Sequence, residues 1–396
     1  MSDASMPPEP AHDLPAAESL AIWLGACRAA GCPERTPAEV VPLDRAVGRV
    51  TAEPVLARRS SPAYDAAAMD GIAVHAAQAT AGAVLTDFVV VDTGDPMPAG
   101  YDAVVMREDV TFVDDKAEIG KAAEPGKHVR PIGEDVRAGE TLLPAGLRLQ
   151  AWDVAAAAAA GHEHLTVHQA PRVAIVPTGD EIRPLGSELS PGDILDTNSL
   201  MLAAQAQDLG CRTRILDIVP DEPAQLLAAM RDAAATSELV IFIAGSSQGR
   251  GDHTADVVTA AGTLAVHGVA VRPGHPVVLG VAGRTPVLGA PGYPVSAALT
   301  FEVFAAPMLA ALMNTAPPRR AVVEARLATD LNSTESSEDW IRVQLSTEGE
   351  DLVATPLTRR AGVLTSLVRA DGIVVLPAGT PGPKTGDRVP VRLLRT

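Results

Sequence analysis

The chain has 396 residues, with 49 Asp and Glu against 32 Lys and Arg, for a formal charge of −17. That surplus excludes a general affinity for nucleic acid or anionic membrane, because phosphate surfaces repel it, yet it leaves room for a local basic pocket. Hydrophobic residues at 47% and aromatics at only 3% describe a globular chain whose cores are built from Ala, Val and Leu.

Gly and Pro number 33 each, which fits many strands and turns. The cysteines Cys27, Cys32 and Cys211 are too few and too scattered for a disulfide framework or a zinc site. The start, MSDASMPPEPAHDLP, lacks a basic and apolar leader pattern, so no signal peptide is expected. No apolar run is read as reaching the about 20 residues of a membrane span. A cytoplasmic, multi-domain chain is the expectation.

Residues 1–13 are polar and Pro-rich and read as a disordered tail. Asp13 is expected to cap a helix running to Ala30, with Leu20, Trp23, Leu24 and Cys27 on one face. From Val50 to Leu149 short apolar runs alternate with turn signals, which predicts a small β domain. AWDVAAAAAAG at 151–161 reads as a helix stopped by Gly161, and LTVH as a strand. From Pro171 strands alternate with helices. RVAIV, CRTRILDIV and ELVIFIAG are the strands, and NSLMLAAQAQDLG, EPAQLLAAMRDAAA and HTADVVTAAG the helices. That alternation predicts a parallel sheet. VAVRPGHP, PVVLGVA and TPVLGAPGYP follow, then a helix from Val295 to Met313. TAPPRR at 315–320 is a linker-like break before a C-terminal β-barrel or sandwich.

Three loops follow strands of this sheet: Thr178-Gly179-Asp180-Glu181, the stretch from Gly245 to Asp252, and Ala290 to Ser296. Ligands of open α/β sheets bind outside the carboxyl ends of strands, where glycines let backbone N–H groups approach phosphate. Carboxylates there reach phosphate only through a cation such as Mg²⁺. Asp180, Glu181 and Asp252 therefore suggest a metal-assisted nucleotide or phosphate-ester site. The plainer reading is that Asp180 and Asp252 only cap turns and helices. Gly245-Ser246-Ser247 opens a G-x-S-x-G match that would make Ser247 a hydrolase nucleophile. The residues Gly249 to Asp252 that follow spoil the tight elbow, and a Gly/Ser anion loop explains the stretch better. Arg272-Pro-Gly-His275-Pro is rigid and could bind an oxyanion, or it is simply a turn.

Several strings together resemble the MoeA family of molybdopterin molybdenumtransferases, which includes the E domain of gephyrin. They are AAAMDGIAV at 66–74, DTGDPMPAGYDAVVMRED at 92–109, VRPIGEDVRAGETLLPAG at 129–146, VPTGDEI at 176–182, GDILDTNSLML at 192–202 and ADGIVVLPAG at 370–379. The resemblance covers nearly the whole chain. It implies a protomer with a MogA/MoaB-like α/β parallel-sheet domain (171–316), an inserted small β domain (49–144), a discontinuous helical linker domain (14–48 with 145–170) and a C-terminal β-barrel (320–396).

It also implies a reaction. Molybdate is inserted into adenylylated molybdopterin with Mg²⁺, AMP is released, and the site lies between the sheet edge of one protomer of a homodimer and the β domain of the other. Contact with the upstream molybdopterin adenylyltransferase is a further expectation. Asp70, Thr93, Asp135, Glu181 and Asp252 match acidic or polar positions of the family, with Asp252 and Glu181 as Mg²⁺ ligands. Arg272, His275 and Ser296 match its anion- and molybdate-handling loops, and Arg342 matches an anion-site arginine. Thr178, Gly179, Asp180, Gly245, Ser246, Ser247, Pro291 and Gly292 complete the expected substrate contacts.

The chain departs from the family's GGVSVG, KPGKP and LPGNPVS with AGSSQGRG, RPGHP and APGYPVS, and a family serine is missing near Ala361. His275 would make oxyanion binding pH-dependent. Molybdate against tungstate stays open, as do a scaffold without turnover and, remotely, hydrolysis at Ser247.

Overall fold

A computed structural model describes residues 11–244, 253–317, 319–333 and 335–394. The chain divides into two compact units, one of Ala38–Val167 and the other of the preceding segment with His168 onward.

In the Ala38–Val167 unit, Val89–Val91, Gly71–Val74 and Ala103–Met106 form one antiparallel sheet, with Gly71–Val74 central. Val84–Leu85, Lys116–Ile119 and Val110–Val113 form another. Ile72, Val74, Val105, Ala117 and Ile119 bury the face these strands share. This small-residue core follows directly from the scarcity of aromatics. The helix Ala151–Ala159 starts with a capping box between Gln150 and Asp153 and ends before Gly161 at φ +94°.

The second unit holds a six-stranded sheet in the order Arg212–Ile215, Arg172–Pro177, Leu239–Ala244, Thr285–Pro291, Val278–Ala282, Gly262–His267. The first four strands are parallel, Val278–Ala282 runs against them, and Gly262–His267, antiparallel to Val278–Ala282, runs in the direction of the first four. The parallel sheet expected from the alternation is present, and one reversed strand is added at one side. Only Gly283 and Arg284 separate Ala282 from its pair Thr285, and two residues cannot carry a crossover helix. The strand Gly262–His267 was not anticipated. It begins where the helix Thr254–Ala261 ends.

The N-terminal helix runs Ala16–Ala29 and is entered from Pro15, with no side-chain cap. Asp13 is not its cap: it sits at φ +53° and its N–H donates to Gly268 O at 3.0 Å. Residues 11–13, expected to belong to a disordered tail, run with Leu14 beside the sheet edge, with bridges from Ala11 to Val266 and from Leu14 to Val269. Trp23 is fully buried, and its Nε1 donates to Gly280 O at 2.7 Å.

The helical stretch Pro294–Leu312 is 19 residues long and apolar enough to cross a membrane, contrary to expectation, but 78% of its most apolar window is buried inside the protein. Phe301–Ala305 is a π turn within it. Pro307 lacks the N–H that would bond Val303 O, and widening the turn accommodates that gap.

The C-terminal strands close on themselves. Glu338–Glu348 pairs with Asp351–Pro356 and Gly372–Leu376, while Val322–Leu327 joins Asp351–Pro356 to Arg388–Leu393, which returns to Gly372–Leu376. Ile341, Val343, Ala354, Val374 and Val391 fill this barrel. Val271–Arg272 adds a short parallel strand, with Val271 opposite Glu338 and Arg272 opposite Asp339.

Candidate functional site

The carboxyl edge of the parallel strands is built by hydrogen bonds between strand ends. Thr178 is buried, and both its N–H (3.0 Å) and its hydroxyl (2.8 Å) donate to Ile243 O. Gly179 sits at φ +134°, a conformation other residues rarely adopt, and a Cβ there would stand 2.8 Å from Glu181 Oε2. Glycine therefore lets Glu181 fold back over the loop. Asp180 Oδ1 accepts from Asp221 N at 3.2 Å, so its turn-capping role is real. Asp180 O accepts from Arg183, whose guanidinium also pairs with Asp193 at 2.8 Å.

Two clefts open at this rim. One of about 680 Å³ is lined by Thr178, Glu181, Asp196, Asn198, Gly292 and Tyr293, with Gly362 and Leu364 of the barrel on its far side. Asn198 Nδ2 donates to Gly292 O at 2.7 Å and fixes that wall. The other, of about 670 Å³, is lined by Asp180, Arg183, Asp196 and a strip of apolar residues including Leu185 and Leu200. Asp221 was not singled out from the sequence. Burial raises its pKa and the Glu181 carboxylate adds to the rise, while the hydrogen bond with Asp180 and the His253 charge oppose it. The rim thus concentrates negative charge, which is what a divalent cation relieves. Among the described residues no group of three or more His, Cys, Asp or Glu is placed to hold a metal by itself. Mg²⁺ needs less, since one or two carboxylates plus substrate phosphates and waters complete its shell. Gly245, Ser246, Ser247 and Asp252 lie outside the described residues, and with them the hydrolase elbow and one of the two expected Mg²⁺ ligands.

A third cleft, of about 320 Å³, is lined by Arg272, Pro273, Asp339, Trp340 and Arg359. Arg359 pairs with the fully buried Asp339 at 2.8 Å. Beside Arg359 lies Arg342, 1% exposed. Its Nη2 donates to Thr358 O, but Nε and Nη1 have no hydrogen-bond partner. Burial, and then the charge of Arg359, lower its pKa. Unpaired buried donors are costly, so this arrangement favours an incoming acceptor. The loop after Pro356 supplies Arg359 to this cleft and Gly362 to the rim, and Ala361 O accepts from Val295 N at 3.1 Å.

His275 and Ser296 do not line that cleft. His275 Nδ1 lies 3.1 Å from Val269 O and 3.5 Å from Asp13 Oδ1. Ser296 is buried in the first turn of the helix Pro294–Thr300, which Gly274 approaches at Thr300. Pro291 ends the strand that leads to Gly292.

In the Ala38–Val167 unit, Asp70 Oδ1 accepts from both the hydroxyl and the N–H of Thr93, each at 2.7 Å. The hydroxyl and then the N–H hold the Asp70 carboxyl below its ordinary pKa. Asp135 N–H donates to Ser61 O at 3.0 Å. Between them, Asp65 Oδ1 accepts from Ile132 N at 2.7 Å, and Asp65 O from Met97 N at 2.8 Å. The 61–70 segment thus ties together the loops bearing Asp70, Thr93 and Asp135. After Met69-Asp70, Gly71 begins a strand, and a Cβ on it would sit 2.0 Å from Val105 O.

The architecture is that of a modular protein, with a knot of loops in a β unit, an α/β sheet rim and an arginine-lined cleft against a barrel. Three family models match in chain order: "MoeA N-terminal region (domain I and II)" over 14–161, "Probable molybdopterin binding domain" over 174–311 and "MoeA C-terminal region (domain IV)" over 324–394. The chain belongs to the MoeA family. A protein of Methanocaldococcus jannaschii named for molybdopterin biosynthesis is 31% identical over 91% of this chain and 94% of its own. Molybdopterin molybdenumtransferase 2 of Mycobacterium tuberculosis is 32% identical over 85% and 90%. The crystal structure of the molybdopterin biosynthesis MoeA protein from Pyrococcus horikoshii covers 97% of this chain and 99% of its own, at 28% identity and a TM-score of 0.82.

Asp221, Asp196, Asn198, Asp339 and Arg359 were missed as site residues. Asp196 and Asn198 stand in GDILDTN, which carried the resemblance without a role of its own. Asp339 and Arg359 are far apart in sequence, and only the barrel's closure makes them a pair.

Proposed function

We propose that the chain is a molybdopterin molybdenumtransferase of molybdenum cofactor biosynthesis, acting with Mg²⁺ on adenylylated molybdopterin and molybdate and releasing AMP. The four-domain division into 14–48 with 145–170, 49–144, 171–316 and 320–396 belongs to this reading, as does a homodimer that brings the Asp70–Thr93 knot of one protomer to the other's rim. The observation that carries the proposal is the Arg342 guanidinium, buried with two unpaired N–H groups next to Arg359. A tetrahedral dianion supplies the acceptors this group lacks, and guanidinium suits oxyanions geometrically. Arg272 and Arg359 add charge at the open side of the same corner.

The rim serves the other reactant. Thr178 and Gly179 shape a backbone turn at strand ends, while Glu181, Asp180 and Asp221 are the carboxylates available to hold Mg²⁺. The metal, when bound, neutralises pyrophosphate charge as the anhydride breaks. The glycines Gly179 and Gly292 let substrate approach the backbone, Asn198 keeps the Gly292 wall in place, and Tyr293 overhangs the cleft. The loop shared by rim and arginine cleft sets molybdate close to the released dithiolene end.

The test is AMP release from adenylylated molybdopterin with Mg²⁺, with molybdate and tungstate in parallel. Glu181→Gln should lower it at least about 100-fold, a loss of about 2.7 kcal/mol of transition-state stabilisation. Turnover unchanged in Glu181→Gln overturns the assignment of the rim. Tight nucleotide binding with no turnover in the wild type overturns the enzyme in favour of a binding protein.

A further inference from the structure

The sequence alone treats Cys27, Cys32 and Cys211 as isolated. The fold makes two of them neighbours. The N-terminal helix ends in a Schellman turn: Gly31, at φ +68°, donates its N–H to Arg28 O at 3.0 Å, and Cys32 N–H reaches back to Cys27 O at 2.9 Å. That turn brings the side chain three residues inside the helix end against the one just beyond it, and here both are cysteines. With standard bond lengths, the 2.9 Å bond caps the Cα–Cα separation at about 6.8 Å, within the range that a disulfide spans.

The two thiols hydrogen-bond to each other and differ in acidity. Hydrogen bonding to Cys32, with burial adding to it, raises the Cys27 pKa, so Cys27 keeps its proton. The same bond, with Arg284 contributing, lowers that of Cys32 against the opposing effect of its burial. Arg284 is held there by its own bond to Gly31 O at 2.7 Å. Both sulfur-bearing residues line a cleft of about 480 Å³ whose rim carries Arg28, Arg35 and Glu34 and whose floor includes Met308 and Leu312. The cleft lies apart from the rim and arginine cleft described above, sharing no lining residue with either.

We propose that Cys27 and Cys32 are a reactive dithiol, a modification site that takes small anionic disulfides of the glutathione type. The Cys32 thiolate attacks one sulfur of the incoming disulfide, forming a mixed disulfide and expelling one thiolate. Cys27 then loses its proton and attacks Cys32 Sγ. The intrachain Cys27–Cys32 bond forms and a second small thiol leaves, so two protein thiols are oxidised as one disulfide is reduced to two thiols. The cationic rim favours a carboxylate-bearing partner, and the neighbouring Cys27 makes the mixed disulfide transient.

The test uses the full chain with glutathione disulfide, followed by acid quenching, alkylation after unfolding and peptide mapping. The wild type should lose two alkylatable thiols, recovered as a Cys27–Cys32 linkage, while Cys211 stays fully alkylated. Cys27→Ser should accumulate a stable glutathione adduct on Cys32, whereas Cys32→Ser should react at least tenfold more slowly at Cys27. The wild-type map needs no variant, so misfolding of a Ser variant does not spoil the test. The proposal is overturned if Cys27 and Cys32 both stay alkylatable, or if Cys211 is consumed as fast as the pair.

Discussion

Replacing Arg342 with Met separates what the arginine does for stability from what it does for an anion. Met keeps most of the aliphatic length and removes the buried charge. Two unpaired donors, Nε and Nη1, disappear, each worth about 1–3 kcal/mol of relief, while the Nη2 bond to Thr358 O, about 1.5–3 kcal/mol, is lost and its acceptor left unpaired. The two sides nearly cancel, so Arg342→Met stays within about 1 kcal/mol of the wild type without ligand, in keeping with the near-neutral outcome common when a buried charge yields to an apolar group. For a unit of this size that keeps Tm within about 2–4 °C of the wild type. Molybdate at 100 times its Kd should stabilise the wild type by about 2.7 kcal/mol and the variant not at all. Calorimetric melts with and without molybdate read both effects. A variant destabilised by several kcal/mol whose Tm still rises with molybdate as in the wild type would refute the reasoning, because the guanidinium would then be a structural group with its needs already met.

Other expectations can be checked more simply. Gly71→Ala forces a Cβ to 2.0 Å from Val105 O, and prying those strands apart should cost about 3 kcal/mol, read as a lower urea midpoint. Trp23→Phe strands the buried Gly280 carbonyl, for a loss of about 1–3 kcal/mol in the same assay. Asp330 is bonded by the N–H and hydroxyl of Thr385 and by Lys384, which hold its pKa down to about 2. Its folded value lies below its unfolded value, so its contribution is present above about pH 4 and lost as pH falls toward 2. Unfolding curves of Asp330→Asn and wild type should therefore differ at neutral pH and merge near pH 2.

Local pattern carried most of the architecture. RVAIV and ELVIFIAG are short, wholly apolar runs, and they became the buried strands Arg172–Pro177 and Leu239–Ala244. Such runs are symmetric with respect to strand direction, so the antiparallel turn of Val278–Ala282 was legible only in the shortness of the Gly283–Arg284 link. Asp13 looked like a helix cap because of its residue type, but pairing with the 262–267 edge decided its backbone. The helix Pro294–Leu312 was legible almost to its ends, but its overall apolarity was masked by Glu302 and Pro307, and the burial of its apolar residues is evident only in the fold. Thr178, Gly179 and Glu181 were readable because one loop holds them all. Arg342, Arg359 and Asp339 were not, because their chemistry arises from barrel closure and from burial, neither of which leaves a local signature.

The short strap formed by Ala11 to Leu14 has a consequence for solubility. It covers the outermost strand of the α/β sheet, with backbone bonds to Ala265, His267, Gly268 and Ala270. Trimming the chain past Leu14 would leave a row of bare amide and carbonyl groups on a strand flanked by apolar side chains, the usual starting point for edge-to-edge association. The few residues before the first helix thus act as a fender, keeping one molecule's sheet from being extended by the next.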